Sequence, residues 1–168
     1  MREIVDVEIG DVKVGKRIIL KSAAIASCIV ITAYDSKKKI GALAHIMLPG
    51  HSPKKSEFSV FQKTRYAYDA VDEMINRITQ LGADRNNIET CLVGGANVLK
   101  KENDTICEKN ISSVVEIMNK KRIKIGLKIL GGTARRSVSF DAERGELFCA
   151  EGDGSEKLLW KAIPPTGE

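Results

Sequence analysis

Apolar and polar positions change period several times along the chain, and each change marks an element. Glu3 to Val14 alternates loosely around Ile4, Val5, Val7, Ile9, Val12 and Val14, with Gly10-Asp11 as a turn. Arg17 to Lys21 begins a further strand or extended segment. Ser27-Cys28-Ile29-Val30-Ile31-Thr32-Ala33-Tyr34 is rich in β-branched residues, and Ile40 to Leu48 is apolar again, interrupted by His45. Asp35-Ser36-Lys37-Lys38-Lys39 between them reads as a solvated turn, so the two runs predict a hairpin that Pro49-Gly50 ends. From Thr64 to Leu81 the period lengthens: Val71, Met74, Ile75, Ile78 and Leu81 give one apolar helical face, with Gly82 at the expected left-handed cap. A second amphipathic helix spans Cys107 to Lys121 through Ile111, Val114, Val115 and Met118, and Lys120-Lys121-Arg122 suit its C-terminal dipole. Short strands are predicted at Ile88–Val93, Ile123–Leu130, Ser137–Phe140 and Leu147–Cys149, the last two as a hairpin around Asp141–Glu146. Pro49 to Lys63 is polar and irregular, an exposed loop that follows His45 and forms a lip beside it. Strands dominate and two helices accompany them. The pattern predicts an α+β fold: a layered, β-sandwich-like sheet domain with two main amphipathic helices packed on it.

Length places all 168 residues in one domain, its tail from Gly152 partly flexible, with Leu158-Leu159-Trp160 docking before Pro164-Pro165 frays. No apolar run approaches the ~20 residues that cross a membrane, and Met1 to Asp6 lacks the apolar core of a signal peptide. A cytoplasmic location is the expectation. The formal net charge of +5 suits an acidic protein partner or a solvated basic surface, while 5% aromatic residues argue against a single-strand nucleic-acid binder.

Candidate chemistry narrows to the hairpin. Cys28 stands at its first position and His45 near its last, so a thiol and an imidazole can face each other, the minimum equipment of a cysteine nucleophile. A lone cysteine or histidine in an apolar strand is ordinarily core, and only the pair raises the chemical reading. Cys91, Cys107 and Cys149 are scattered, with no C-x-x-C spacing, and read as small buried hydrophobes. His51 is a rival base on a loop. Gly94-Gly95-Ala96-Asn97 follows a strand without the G-K-[ST] of a phosphate loop, so a tight turn or close backbone approach explains it better. The imidazole is expected to lower the thiol pKa by ion pairing.

Taken together, Ser27-Cys28, the hydrophobic strand, Tyr34-Asp35, the basic turn and Ile40-Gly41-x-x-Ala44-His45-x-Met47-Leu48-Pro49 resemble the core motif of the CheD family of chemoreceptor glutamine deamidases. Gly94-Gly95-Ala96-Asn97, and Gly131-Gly132 with Arg136-Ser137-Val138-Ser139-Phe140-Asp141 and Gly145, resemble its other landmarks, in order, over roughly Ile4 to Cys149. The resemblance implies hydrolysis of glutamine side chains to glutamate with release of ammonia, and no cofactor. Cys28 is then the nucleophile and His45 the base. Ser22 is the orienting hydroxyl, at a position where related sequences often carry threonine. The implied partners are chemoreceptor cytoplasmic domains as substrate and CheC, a phosphatase of the response regulator CheY. Related sequences usually carry glycines just before Ser-Cys, where this chain has Ala23, Ala24 and Ala26; a positive φ there would strain alanine. Two other readings stand beside the deamidase: a non-catalytic module that docks CheC or receptors, and a cysteine hydrolase of a small amide or ester.

Overall fold

A computed structural model describes residues 2–53, 60–103 and 105–164. Its centre is a pair of strands buried at every position: β4 (Ile29–Asp35) and β5 (Ile40–Ile46). Continuous apolar sequence, rather than alternation, is what a strand covered on both faces requires. One face of the pair carries Ile29, Ile31, Ala33, Ala42, Ala44 and Ile46 against the helices α2 (Ala67–Gln80) and α3 (Ile106–Lys120). The other face carries Val30, Tyr34 and Leu43 against a second sheet through Leu20, Val138, Phe140 and Leu147. The molecule thus has three layers: sheet, sheet and helices.

The central sheet runs in the order β2 (Val12–Lys16), β5, β4, β6 (Ile88–Gly94), β7 (Lys124–Leu130). Its pairs are antiparallel except β6 with β7, which α3 connects as a crossover. The outer sheet runs β1 (Ile4–Asp6), β3 (Ile19–Ile25), β8 (Arg136–Asp141), β9 (Glu146–Glu151), β10 (Lys157–Lys161). The tail segment around Leu158 to Trp160 is therefore the edge strand β10, and residues 165–168 lie outside the described residues.

Three expectations are corrected. The long helix begins at Ala67 rather than Thr64, because the chain before it still pairs with the extension of β5. Met47 and Leu48 N–H both donate to the Arg65 carbonyl, and Ala67 N–H donates to the Leu48 carbonyl. In the segment read as a loop from Pro49 to Lys63, Val60–Lys63 forms a helical turn, α1, while residues 54–59 lie outside the described residues. Asp35, read as solvated, is 0% exposed. Its Oδ1 accepts from the Lys37 and Lys38 N–H groups, and its Oδ2 accepts from the Asp84 N–H. A carboxylate with that many donors replaces its hydration shell inside the protein.

The segment from Ser22 is not one hairpin alone. Ser22 belongs to β3 in the outer sheet, and a bend over residues 26–28 carries the chain across to β4 in the central sheet. The pairing of β3 with β8 shifts register between Ser22 and Ile25. Ala24 lies inside that bulge with φ of 55°. The left-handed conformation therefore falls on an alanine, at a cost of about 1 kcal/mol relative to glycine.

Candidate active site

His45 pairs across the ladder with Val30, so its side chain shares the face that looks toward the outer sheet. From that sheet Ser22 reaches it: the Ser22 Oγ and His45 Nδ1 are 2.7 Å apart. The same hydroxyl donates to the Val7 carbonyl at 2.7 Å. A hydroxyl has one hydrogen; with it committed to Val7, Oγ must accept from Nδ1–H. The tautomer is thereby set, and the Nε2 lone pair is left for a proton. Nε2 is buried and has no hydrogen-bond partner among the described residues, the Cys28 thiol included.

Cys28 lies in the bend immediately before β4, two residues ahead of Val30, the ladder partner of His45. The end of β6 packs against its backbone. Gly95 N–H donates to the Cys28 carbonyl at 2.9 Å and Ala96 N–H to the Ala26 carbonyl at 2.8 Å. A Cβ on Gly94 would stand 2.1 Å from the Cys28 carbonyl oxygen, and Gly94 itself sits at φ of 133°. Close backbone approach is thus what the first glycine pair provides. The second joins it: Gly131 N–H donates to the Gly94 carbonyl, and Asn97 N–H to that of Gly132. Arg136, buried in the outer sheet, also reaches the Gly94 carbonyl through Nη1 at 3.3 Å.

Burial sets the resting charges. The imidazole of His45 is pushed down to about 4, chiefly by desolvation, with the Val7 carbonyl and Asp11 acting weakly the other way. Burial pushes the Cys28 thiol up from its ordinary value, opposed by its own backbone N–H. The expected lowering of the thiol by an imidazolium is therefore not found. Desolvation outweighs ion pairing here because neither group carries its charge at neutral pH. The pair rests as neutral thiol and neutral imidazole.

The other candidates lie elsewhere. His51 stacks on Tyr68 with ring centroids 3.9 Å apart and faces Asp69 at the start of α2. Cys91, Cys107 and Cys149 are buried and form no disulfide among the described residues, and burial pushes Cys91 up to about 12. Two groups escaped the sequence reading. The Val7 carbonyl, which takes the Ser22 hydrogen, carries no side-chain signature. Asn110 does: it is a polar residue at a buried position of an amphipathic helix.

Comparison with known proteins bears on this geometry. The CheD profile, described as CheD chemotactic sensory transduction, matches residues 47–151. A protein of Chlorobium luteolum named "Probable chemoreceptor glutamine deamidase CheD" is 35% identical over 142 residues, covering 84% of this chain and 69% of the relative.

The chain belongs to the CheD family.

Relatives with the same printed name occur in Methanococcus maripaludis, 34% identical over 89% of this chain and 96% of theirs, and in Archaeoglobus fulgidus, 33% identical over 92% and 96%. The CheD profile begins two residues after His45, so its match does not itself contain Ser22, Cys28 or His45. It does contain the Gly94-Gly95 and Gly131-Gly132 turns and Asn110. Of these, Gly94-Gly95 pack on the Cys28 carbonyl, Asn110 bonds the Ser27 carbonyl, and Gly131-Gly132 bond the Gly94–Asn97 turn.

Proposed function

We propose that this chain deamidates glutamine side chains on the cytoplasmic segments of chemoreceptors, with Cys28 as nucleophile, His45 as base and Ser22 as orienting hydroxyl. One observation carries the reading: the Val7–Ser22–His45 chain of hydrogen bonds, which fixes the tautomer of an imidazole whose ladder partner, Val30, is two residues from Cys28, and leaves Nε2 unpartnered among the described residues. In the first step Nε2 takes the thiol proton as Sγ attacks the glutamine Cδ, and the Cδ–Oε1 double bond opens to an oxyanion. The oxyanion collapses, the C–N bond breaks, and His45 returns its proton to the departing nitrogen as ammonia. Water, deprotonated by the same Nε2, then attacks the thioester and releases glutamate and the free thiol.

The resting geometry is open, since Nε2 and Sγ are not hydrogen-bonded, and such contacts commonly tighten only with substrate bound. Ser22 supplies orientation without a carboxylate charge to stabilise the imidazolium, which predicts a slow enzyme. The same unformed contact, with the strain at Ala24, favours one second reading: a non-catalytic module that docks CheC or receptors.

Mass spectrometry of a receptor cytoplasmic fragment, incubated with the unaltered protein and with Cys28→Ala, separates these readings. Glutamine converted to glutamate only by the unaltered protein supports the deamidase and its nucleophile together. No conversion by either, with a fragment that binds, supports the module. Equal conversion by both removes Cys28 from the chemistry.

A further inference from the structure

Asn110 stands on the buried face of α3 and is 0% exposed. Its Nδ2 donates to two carbonyls at once, Ser27 at 2.8 Å and Met47 at 3.1 Å. Those two acceptors fix the orientation of the side-chain amide, because the opposite orientation would set its oxygen against both. An amide in a helix–sheet interface loses its hydration, so leucine or alanine would be the cheaper occupant unless the two bonds matter.

The bend that holds Cys28 shows what they do. Three consecutive carbonyls are each held by a different donor: Ala26 by Ala96 N–H, Ser27 by Asn110 Nδ2, and Cys28 by Gly95 N–H. The middle bond differs from its neighbours in two ways. It comes from a side chain, and it acts on the peptide that contains the Cys28 N–H. The described chain has no cis peptide bond, so the Ser27 carbonyl and the Cys28 N–H point in opposite directions across one rigid plane. Holding the oxygen therefore aims the hydrogen. No carbonyl among the described residues accepts that N–H, and it is the group that favours the thiolate at Cys28. A hydrogen bond accepted at the carbonyl also polarises the peptide and strengthens its N–H as a donor.

We propose that Asn110 is a positioning residue that locks the Ser27–Cys28 peptide so that the Cys28 N–H serves as an oxyanion donor. The inference rests on the deamidase reading above. Were the peptide free to rotate, the carbonyl would face the developing negative charge, and the donor would be lost in the step that needs it.

Two rates measured on Asn110→Ala and the unaltered protein test this. Deamidation passes through an oxyanion, whereas alkylation of Cys28 by iodoacetamide needs the thiol and its base but no oxyanion donor. The expected result is kcat for a receptor fragment lowered roughly 10- to 100-fold, KM within about twofold, and an alkylation rate–pH profile that matches the unaltered protein. Unchanged kcat overturns the proposal. So does a parallel fall of kcat and alkylation, which would make Asn110 a packing residue for the whole site. Absence of deamidation by the unaltered protein removes the deamidase reading and this inference with it; an active unaltered protein with an equally active variant removes the inference alone. Should Asn110→Ala not fold, exchange of the Asn110 side-chain amide hydrogens in the unaltered protein is followed by NMR. Protection of both supports the clamp, and exchange as fast as in an exposed asparagine overturns it.

Discussion

The β4–β5 hairpin buries an ionisable side chain at each end, and the two ends solve the problem differently. At the turn end Asp35 is 0% exposed, and three backbone N–H groups surround its carboxylate. At the open end His45 is 1% exposed, and only one of its two ring nitrogens has a partner among the described residues. Both side chains pay the desolvation cost of burial, yet only Asp35 recovers it through protein donors. A fully partnered polar group fastens a turn. An unpartnered one, fixed in tautomer by Ser22, is what the proposed chemistry requires. Under the proposed function, the difference separates scaffold from site within a single pair of strands.

The contrast is sharpest in activity. His45→Gln, which keeps a polar side chain of similar reach but removes the base, is expected to lower deamidation of a receptor fragment by 10³-fold or more. A variant within tenfold of the unaltered protein would end the distinction between the two ends. Ser22→Ala frees the imidazole to change tautomer and leaves the Val7 carbonyl without its donor. We expect kcat to fall roughly 10- to 100-fold, by analogy with other orienting groups, and Ser22→Thr to restore most of it in the same assay.

Stability should show the opposite order. Asp35→Asn sets a side-chain NH₂ against backbone N–H groups and should destabilise by about 2–3 kcal/mol in urea unfolding. The deamidation rate of the protein that remains folded is expected to stay near that of the unaltered chain, because the turn lies at the far end of the hairpin.

The pH dependence of stability follows from His45. Its folded value of about 4 lies below the ordinary 6.5, so the unfolded chain takes up a proton first as pH falls. The stability that the neutral ring contributes is complete above pH 6.5 and is lost as pH falls toward 4, roughly 3 kcal/mol in all. Urea titrations across that window should show this slope in the unaltered protein and a shallower one in His45→Gln. The smallest effect belongs to Ala24→Gly, which places glycine at φ of 55° and should stabilise by up to about 1 kcal/mol in the same titrations.

Much of the fold was legible because it rests on local periodicity. The continuous apolar runs of β4 and β5, the two amphipathic helices and the β8–β9 hairpin stand within a few residues of where the pattern predicts them. Errors came where distant partners intervene. Pairing of residues 65 and 66 with the extension of β5 delays α2, and donors from Asp84 and the turn bury Asp35. Asn110 was passed over because an asparagine on a helix face gives no sign of which carbonyls it will meet. Its place in the apolar period of α3 was the signal available.

The sequence by itself determined most of the strands, the two long helices, Cys28 and His45 as candidates, and the alanines before Cys28, because these follow from local pattern in the chain. Tertiary structure alone decided that Ser22 arrives from the opposite sheet, that Val7 takes its hydrogen, and that three donors hold the carbonyls before and at Cys28. It also set both candidate groups where burial favours their uncharged forms. Each of these depends on burial and on contacts between segments far apart in the chain, where side-chain period carries no information but packing fixes every partner.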